Sequence, residues 1–377
     1  MRGISLVLAV LIATTLYSFI YNSNSDPLLS HQIANVVSVN NERVTIIGTA
    51  RLGDQKLTIE LDNNHQVDVQ NLLTGALEYD EFYEVGDTVV VAEKNNRYHV
   101  VALFRLPVLI GLMLLFAIGL LSYAKRVGLF ALLSFIGSIF IVFGILIPGL
   151  LAGYSPILIT SLTVLVLSSM IILSVAGWTN KGKAALSGTV IGLIFTTVLC
   201  IIVGKLLHLD GMTQPLAQPL LFENGMQLNM VGILYAAIMV GASGAAMDVA
   251  MEMAATMEEI KYNSPMITRH NLLTSGLRVG NAVIGTMTTT LLLAYAGGFL
   301  TLLMLFVSRG NSLMQILNMK LVASEITRTL IGSLALIIVG PTTAWIASMM
   351  LTRHDQPTLQ AGKNEISNTP EILEKNA

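Results

Sequence analysis

Seven apolar runs, each long enough to cross a lipid bilayer, follow one another through the C-terminal two thirds of this chain. A membrane-spanning helix needs about 20 predominantly apolar residues to cross roughly 30 Å of hydrocarbon. Only 12% of the residues are charged, whereas a soluble domain carries roughly 25%. Run length and composition therefore predict an α-helical polytopic membrane protein. The runs are Leu106–Ala124, Gly128–Leu151, Pro156–Ala176, Ala185–Leu207, Met230–Met253, Ala282–Val307 and Thr329–Leu351.

An eighth apolar run, Ile4–Tyr21, lies close to the N-terminus. A cleaved signal peptide and a retained first helix are the two interpretations. A signal peptide has an apolar core of roughly 7–15 residues and a small-x-small cleavage site, and no clear site lies near Ser23–Asp26. The retained helix is favoured. The predicted domains are then an N-terminal anchor at 1–27 and a seven-helix domain at 106–351, with about eight transmembrane helices in all.

Residues 28–105 differ from the rest, with short runs of Val, Ile, Thr and Leu between Asn, Asp and Gly turns. Such a pattern predicts a small all-β domain, an OB-like barrel, because closure removes exposed sheet edges. The domain is either a module that binds a partner or a solvated cap. Acidic residues outnumber basic ones and aromatic residues are few. Nucleic acid, which binds to basic grooves with stacking aromatics, is therefore not an expected partner.

The positions of Lys and Arg predict how the helices are oriented, because basic residues are enriched in cytoplasmic loops. Basic residues follow alternate runs, at Lys125–Arg126, Lys181–Lys183 and Lys261–Arg278. This pattern places both chain ends in the cytoplasm and the β-domain on the extracytoplasmic side of the cell membrane. The polar tail 352–377 is expected to be disordered. The loop Arg309–Arg328 departs from the pattern and is expected to contain a short amphipathic helix on the outer surface.

The run that begins at Met230 carries the most informative side chains. Gly241, Gly244, Asp248 and Glu252 are separated by three, four and four residues, which places them near one face of a helix. A charged residue at the bilayer centre costs about 2.5–3.5 kcal/mol on insertion scales, and such residues often mark ion or substrate pathways. Asp248 lies roughly 27 Å along the axis from the start of the run. An interfacial carboxylate paired with a basic loop residue is therefore the alternative.

A second polar face is predicted on the following run. Thr286 and Thr290 are four residues apart, Thr289 lies beside them, and Asn281 immediately precedes the run. Hydroxyl groups at this depth either bind a cation or a solute, or bond to carbonyl groups of their own helix. Tyr295 is either a gate or a packed side chain.

No enzyme signature accompanies these residues. The sequence has no HExxH, GxSxG or Walker motif, and its six histidines lack metal-ligand spacing. The single cysteine, Cys200, excludes an internal disulfide and a Cys-based metal site. No cofactor is expected, and metal binding through other ligands stays open.

The segments GASGAAMDVAMEMAATMEEI and LLTSGLRVGNAVIGTMTTTLLLAYAGG resemble the YibE/F-like family of bacterial multi-pass membrane proteins. The likeness covers most of residues 28–351. The resemblance implies an outer β-domain followed by a transmembrane bundle, with no established activity and transport as a suspicion. The family usually has Gly-Arg-Asp where this chain has Gly280-Asn281-Ala282, and an Asn within the threonine run. If the family's Arg neutralises the acid of the preceding helix, Asp248 needs another partner or is protonated.

Two functions are consistent with these patterns. In the first, the chain is a permease or a transport subunit in which Asp248 is the binding or coupling carboxylate. In the second, it is a non-transporting scaffold that presents the β-domain to an extracytoplasmic partner. Besides the lipid bilayer, the expected partners are a paired membrane protein of the same family or a second copy of this chain. A membrane enzyme ranks last, because no second catalytic group is found.

The predicted orientation can be tested with reporter fusions. Alkaline phosphatase inserted within residues 40–90 should be active, because this enzyme requires an extracytoplasmic location. The same reporter fused after Thr352 should be inactive. Cytoplasmic location of the 40–90 fusion would refute the orientation.

Overall fold

The computed structural model describes five stretches of the chain, which form two compact units that meet in sequence at Leu132. The predicted first helix within 1–27 and the predicted tail from residue 353 onwards lie outside the described residues. The described stretches are 30–61, 64–77, 79–94, 97–223 and 228–352.

The N-terminal unit contains a nearly closed antiparallel β-barrel. The strands are hydrogen-bonded in the order β3-β2-β1-β4-β5, and the two terminal strands of this order approach each other. The predicted small β-barrel is therefore confirmed, and it has five strands. The strands are β1 (Ser30–Ile47), β2 (Ala50–Leu61), β3 (Gln66–Thr74), β4 (Thr88–Lys94) and β5 (Arg97–Leu103).

Alternate side chains of the strands form the barrel core. Successive residues of a strand point to opposite faces, so Leu57 and Ile59 of β2 are buried together with Val89 and Val91 of β4. Two register shifts along β1, at Val36/Ser38 and Asn40/Arg43, disturb its pairing with β2. Such bulges increase strand bend and twist, which allows one long strand to pair with both β2 and β4.

The chain is helical from Leu106 to Thr352 apart from its loops. Six helical stretches among the described residues are long and apolar enough to cross a membrane. The first, Leu106–Leu151, contains two predicted runs, and Lys125 interrupts its helical geometry with φ 46° and ψ −115°. The helices are α1 (Leu106–Ile141), α2 (Ile147–Leu151), α3 (Pro156–Ala176), α4 (Asn180–Leu206), α5 (Ala217–Glu223), α6 (Met230–Asn263), α7 (Arg269–Gly298), α8 (Leu300–Ser308), α9 (Leu313–Asn318) and α10 (Lys320–Thr352).

The C-terminal helices differ from the predicted runs. The predicted run Ala282–Val307 is divided between α7, which begins thirteen residues earlier at Arg269, and the short helix α8. The predicted outer loop Arg309–Arg328 contains the short helix α9 and then the first two turns of α10. The early start of α10 was not predicted because Lys320, Glu325 and Arg328 interrupt the apolar pattern there.

Helix α6 lies at the centre of the helical unit, in contact with α3, α4, α7 and α10. Small residues allow these close approaches. Gly276 and Gly280 of α7 face the side chains of Met257 and Met253 of α6. Membrane helices commonly associate through small residues of this kind, because their backbones can approach closely.

The contact between α4 and α10 at Gly192 provides a test of this packing. Gly192→Ala would place a methyl group against Val339 Cγ2, and overpacking of this kind costs about 1–3 kcal/mol. We expect a lower midpoint of thermal unfolding for the detergent-solubilised protein. Gly285→Ala is the matched control, because no atom of the described chain lies within 4 Å of an added Cβ there. Equal effects of the two substitutions would contradict the packing.

Candidate functional site

The predicted stripe on α6 lies on the surface of the helical unit. Gly241, Asp248 and Glu252 are exposed and Gly244 is partly buried. Most of the other α6 side chains between Met230 and Met257 are buried or partly buried. The stripe is therefore the open side of an otherwise enclosed helix.

The carboxylate of Asp248 has no hydrogen-bond or ion-pair partner in the part of the chain that the structure describes. Glu252 lies one helical turn away and adds a second negative charge. Lys181 pairs with Glu258 at 2.6 Å, and Lys261 donates a hydrogen bond to the Pro265 carbonyl. The interfacial ion pair considered as an alternative for Asp248 does not form among the described residues.

The threonine hydroxyls of α7 donate hydrogen bonds to their own helix. Thr286 donates to the Val283 carbonyl at 3.0 Å, Thr289 to Gly285 at 3.2 Å, and Thr290 to Thr286 at 3.0 Å. This arrangement satisfies each donor, as the helix-internal alternative predicted. The hydroxyl oxygens keep lone pairs that can accept a hydrogen bond or contact a cation.

The exposed polar residues of α6 and those of α7 lie at the same height along this pair of packed helices. Gly280 faces Met253, and a Cβ added at Gly241 would lie 2.7 Å from Tyr295 Oη. The two helices therefore run antiparallel, and Asp248 lies between these two contacts. The part of α7 between the same contacts carries Asn281 and the three threonines, which are all exposed.

Tyr295 lies at the boundary between this stripe and a pocket. Its hydroxyl group reaches α6 at Gly241, and its side chain also lines the pocket between α7, α8 and α10. A Cβ at position 241 would displace the Tyr295 hydroxyl group, so Gly241 has a packing role in this contact.

A buried ion pair on α10 was not predicted from the sequence. Glu325 is 8% exposed, and its Oε2 lies 3.3 Å from Arg328 Nη1. Arg328 Nη2 donates a hydrogen bond to Gln214 Oε1 at 2.8 Å. Glu325 and Arg328 have opposite charges and are three residues apart, a spacing that predicts an ion pair in a helix. The pair was not predicted because the segment was not recognised as the start of a helix.

The segment between α4 and α5 is joined to α10 at a second point. Lys320 Nζ lies 2.7 Å from Asp210 Oδ2. The hydrogen bond from Lys320 lowers the pKa of the Asp210 carboxyl, so this carboxylate stays ionised at neutral pH. The two contacts, at Lys320 and Arg328, fix the segment against the first turns of α10.

Metal binding finds no support in the described residues, which contain no group of three or more His, Cys, Asp or Glu side chains placed to hold an ion. The candidate site therefore consists of an exposed acidic stripe and hydroxyl oxygens, without a preformed metal centre among those residues.

Comparison with known proteins identifies a family. Residues 112–353 match the family model described as YibE/F-like protein, which is more than half of the chain. No curated protein and no solved structure matches the chain.

Substitutions of the two acids, Asp248 and Glu325, should differ in their effect on stability. Glu325→Gln removes the negative partner of buried Arg328, and breaking a buried pair costs about 3–5 kcal/mol. Asp248→Asn removes an exposed charge, and surface substitutions usually change stability by less than about 0.5 kcal/mol. We expect the unfolding midpoint of the solubilised protein to fall for Glu325→Gln only. A larger loss for Asp248→Asn would contradict the structure.

Proposed function

This chain belongs to the YibE/F-like family, and on that premise we propose that it is a subunit of an oligomeric membrane permease. In this proposal, a second membrane chain covers the stripe formed by Gly241, Gly244, Asp248 and Glu252. The polar path then lies between the two chains and not within either of them. The covering chain is a second copy or a paired member of the same family.

The exposed and unpartnered carboxylate of Asp248 is the observation that supports this proposal. An uncompensated charge facing lipid costs about 2.5–3.5 kcal/mol at the centre of a bilayer, and membrane proteins direct such groups towards protein or water. The six apolar helices are consistent with a bilayer environment. Gly244, where no atom of the described chain lies within 4 Å of an added Cβ, would let a second helix approach the stripe closely.

The chemistry of the stripe favours a cationic or proton-donating solute. Asp248 and Glu252 supply negative charge, and Thr286, Thr289 and Thr290 supply hydroxyl oxygens whose donors are already satisfied. Asn281 adds an exposed amide at the level of Glu252. All of these groups can accept hydrogen bonds, and an anionic solute would meet repulsion from both carboxylates.

The proposal also includes the orientation predicted from the basic loops, with the termini in the cytoplasm and the barrel outside. Lys181, Lys183, Lys261, Arg269 and Arg278 lie in or beside two loops that this orientation places together. Enrichment of basic residues in such loops is the support for it.

A scaffold that presents the barrel to a partner is the second candidate function. The end of β1, just before the turn to β2, exposes two large apolar side chains, Ile46 at 68% and Ile47 at 64%. Exposed apolar groups close together often mark an interaction surface. In this case the stripe would be buried against the second chain without a water-filled path.

Thiol labelling distinguishes the two functions. In a Cys200→Ser background, Gly244→Cys places a thiol on the stripe, where no atom of the described chain lies within 4 Å of an added Cβ. A permease should let a membrane-impermeant, cationic thiol reagent reach this position in intact cells. The matched control is Ile194→Cys on α4, which is 59% exposed on an apolar face and should stay unlabelled.

Asp248→Asn in the Gly244→Cys protein tests the role of the carboxylate. Negative charge in a confined path raises the local concentration of cations. Asp248→Asn removes one such charge, so the ratio of labelling by a cationic reagent to labelling by an anionic reagent should fall by about tenfold. If the Gly244→Cys protein is labelled as little as the Ile194→Cys protein, the result counts against a permease and favours the scaffold.

A further inference from the structure

The strands of the barrel alternate in direction along the order β3-β2-β1-β4-β5, because every neighbouring pair is antiparallel. Strands β1, β3 and β5 therefore run the same way and finish at one end of the barrel. Helix α1 begins at this end, three residues after the last residue of β5. The β1–β2 turn and the connection from β3 to β4 lie there as well. We call it the helix end of the barrel.

The barrel is joined to α1 by a short and well-bonded link. Glu81, in the β3–β4 connection, accepts a hydrogen bond from the backbone N–H of Leu103 at 2.8 Å, and its Oε1 lies 2.6 Å from Arg105 Nη1. Leu106 is the first residue of a helical stretch that is long and apolar enough to cross a membrane. The helix end therefore lies within a few residues of the point where the chain would enter hydrocarbon.

The helix end also carries the most exposed apolar side chains of the barrel. Among the described residues of the barrel, six large apolar or aromatic side chains are at least 60% exposed. All six lie at the end of β1, in the last three residues of β3, or in the β3–β4 connection. They are Ile46, Ile47, Leu72, Leu77, Tyr79 and Val85.

Leu52 at the start of β2 links these segments into one surface. It is paired with Thr45 of β1 on one side and with Thr74 of β3 on the other. A Cβ added at Gly75, where the β3–β4 connection begins, would lie 3.2 Å from the Leu52 side chain. The end of β1 and the start of the connection are therefore neighbours, and the exposed apolar side chains lie close together.

The opposite end of the barrel is polar in sequence. The β2–β3 turn there reads Asp62-Asn63-Asn64-His65, and the β4–β5 turn contains Asn95-Asn96. Exposed apolar groups that lie close together often mark an interaction surface. In this barrel they are concentrated at the end from which the apolar helix leaves.

We propose that the helix end of the barrel lies on the surface of the lipid bilayer, with the six apolar side chains in the boundary between head groups and acyl chains. The link to α1 selects lipid as the occupant, because the chain itself enters the bilayer from this end. Interfacial apolar groups insert about 5–10 Å into this boundary, and Tyr is enriched there. The proposal requires the membrane crossing of α1 and makes no use of the stripe around Asp248.

Fluorescence quenching in reconstituted vesicles tests the contact. The full-length protein, in a Cys200→Ser background, carries one environment-sensitive fluorophore on an introduced thiol, and the phosphatidylcholine vesicles contain a spin-labelled lipid that quenches it. A probe at Leu72→Cys should shift to shorter wavelength and lose fluorescence. Gln66→Cys is the matched control, because Gln66 is exposed on the same face of β3, about 20 Å away towards the polar end. Its fluorescence should be unchanged.

A probe at Leu112→Cys separates this proposal from the proposed function. Leu112 is exposed on α1, so quenching there reports that the helix has entered the bilayer. Quenching at Leu112 without quenching at Leu72 would overturn the proposal and leave the membrane crossing intact. A Leu72 probe that shifts but is not quenched would also overturn it, since a second copy of the chain would then cover this surface. Loss of quenching at both positions would contradict the membrane crossing as well.

Ile47→Glu in the Leu72→Cys protein tests whether the apolar surface maintains the contact. Moving a carboxylate out of water is costly, so quenching of the Leu72 probe should fall towards the level of the Gln66 probe. Ile33→Glu is the matched control, because Ile33 is exposed near the start of β1, at the polar end. Equal quenching in the two variants would show that the link to α1 alone brings the barrel to lipid, and would overturn the proposal.

Discussion

The close packing of α6 against four other helices is the interaction on which the helical unit depends. Ala250 and Ala254 are fully buried, and Met253 and Met257 fill the space next to the glycines of α7. In lipid, apolar side chains gain little from leaving the solvent, so helices associate through van der Waals contact between closely spaced backbones. With α6 packed in this way, one narrow face of it, which carries Asp248 and Glu252, is left exposed by the described helices.

That open face explains why two acids on neighbouring helices have different environments. Glu325 finds its counter-ion on its own helix, three residues away, and the pair is enclosed by the fold. Asp248 is on the side of α6 that no described helix covers, and the described chain supplies no counter-ion there. Nothing in the described part of the chain therefore compensates the charge of Asp248.

Most of the secondary structure was predictable because it depends on local patterns. Apolar runs of bilayer length predicted the helices, and alternating residues between turns predicted the barrel. The start of α10 was predicted nine residues too late, since Lys320, Glu325 and Arg328 interrupt the apolar pattern. The structure shows what compensates for them: an ion pair within the helix and contacts with Asp210 and Gln214, more than 100 residues earlier in the chain. Contacts over such separations cannot be deduced from periodicity.

The sequence by itself determined which residues share a helix face, because helical spacing fixes the positions of Gly241, Gly244, Asp248 and Glu252 relative to one another. It also determined that threonines in a helix can satisfy their own donors. Only the tertiary structure decided that the acidic face points away from the neighbouring helices and that Glu325 is buried beside Arg328. The physical reason is that the periodicity of a sequence shows which residues share one face of a helix, but not which other helix packs against that face. Whether a charged side chain is buried depends on that neighbouring helix.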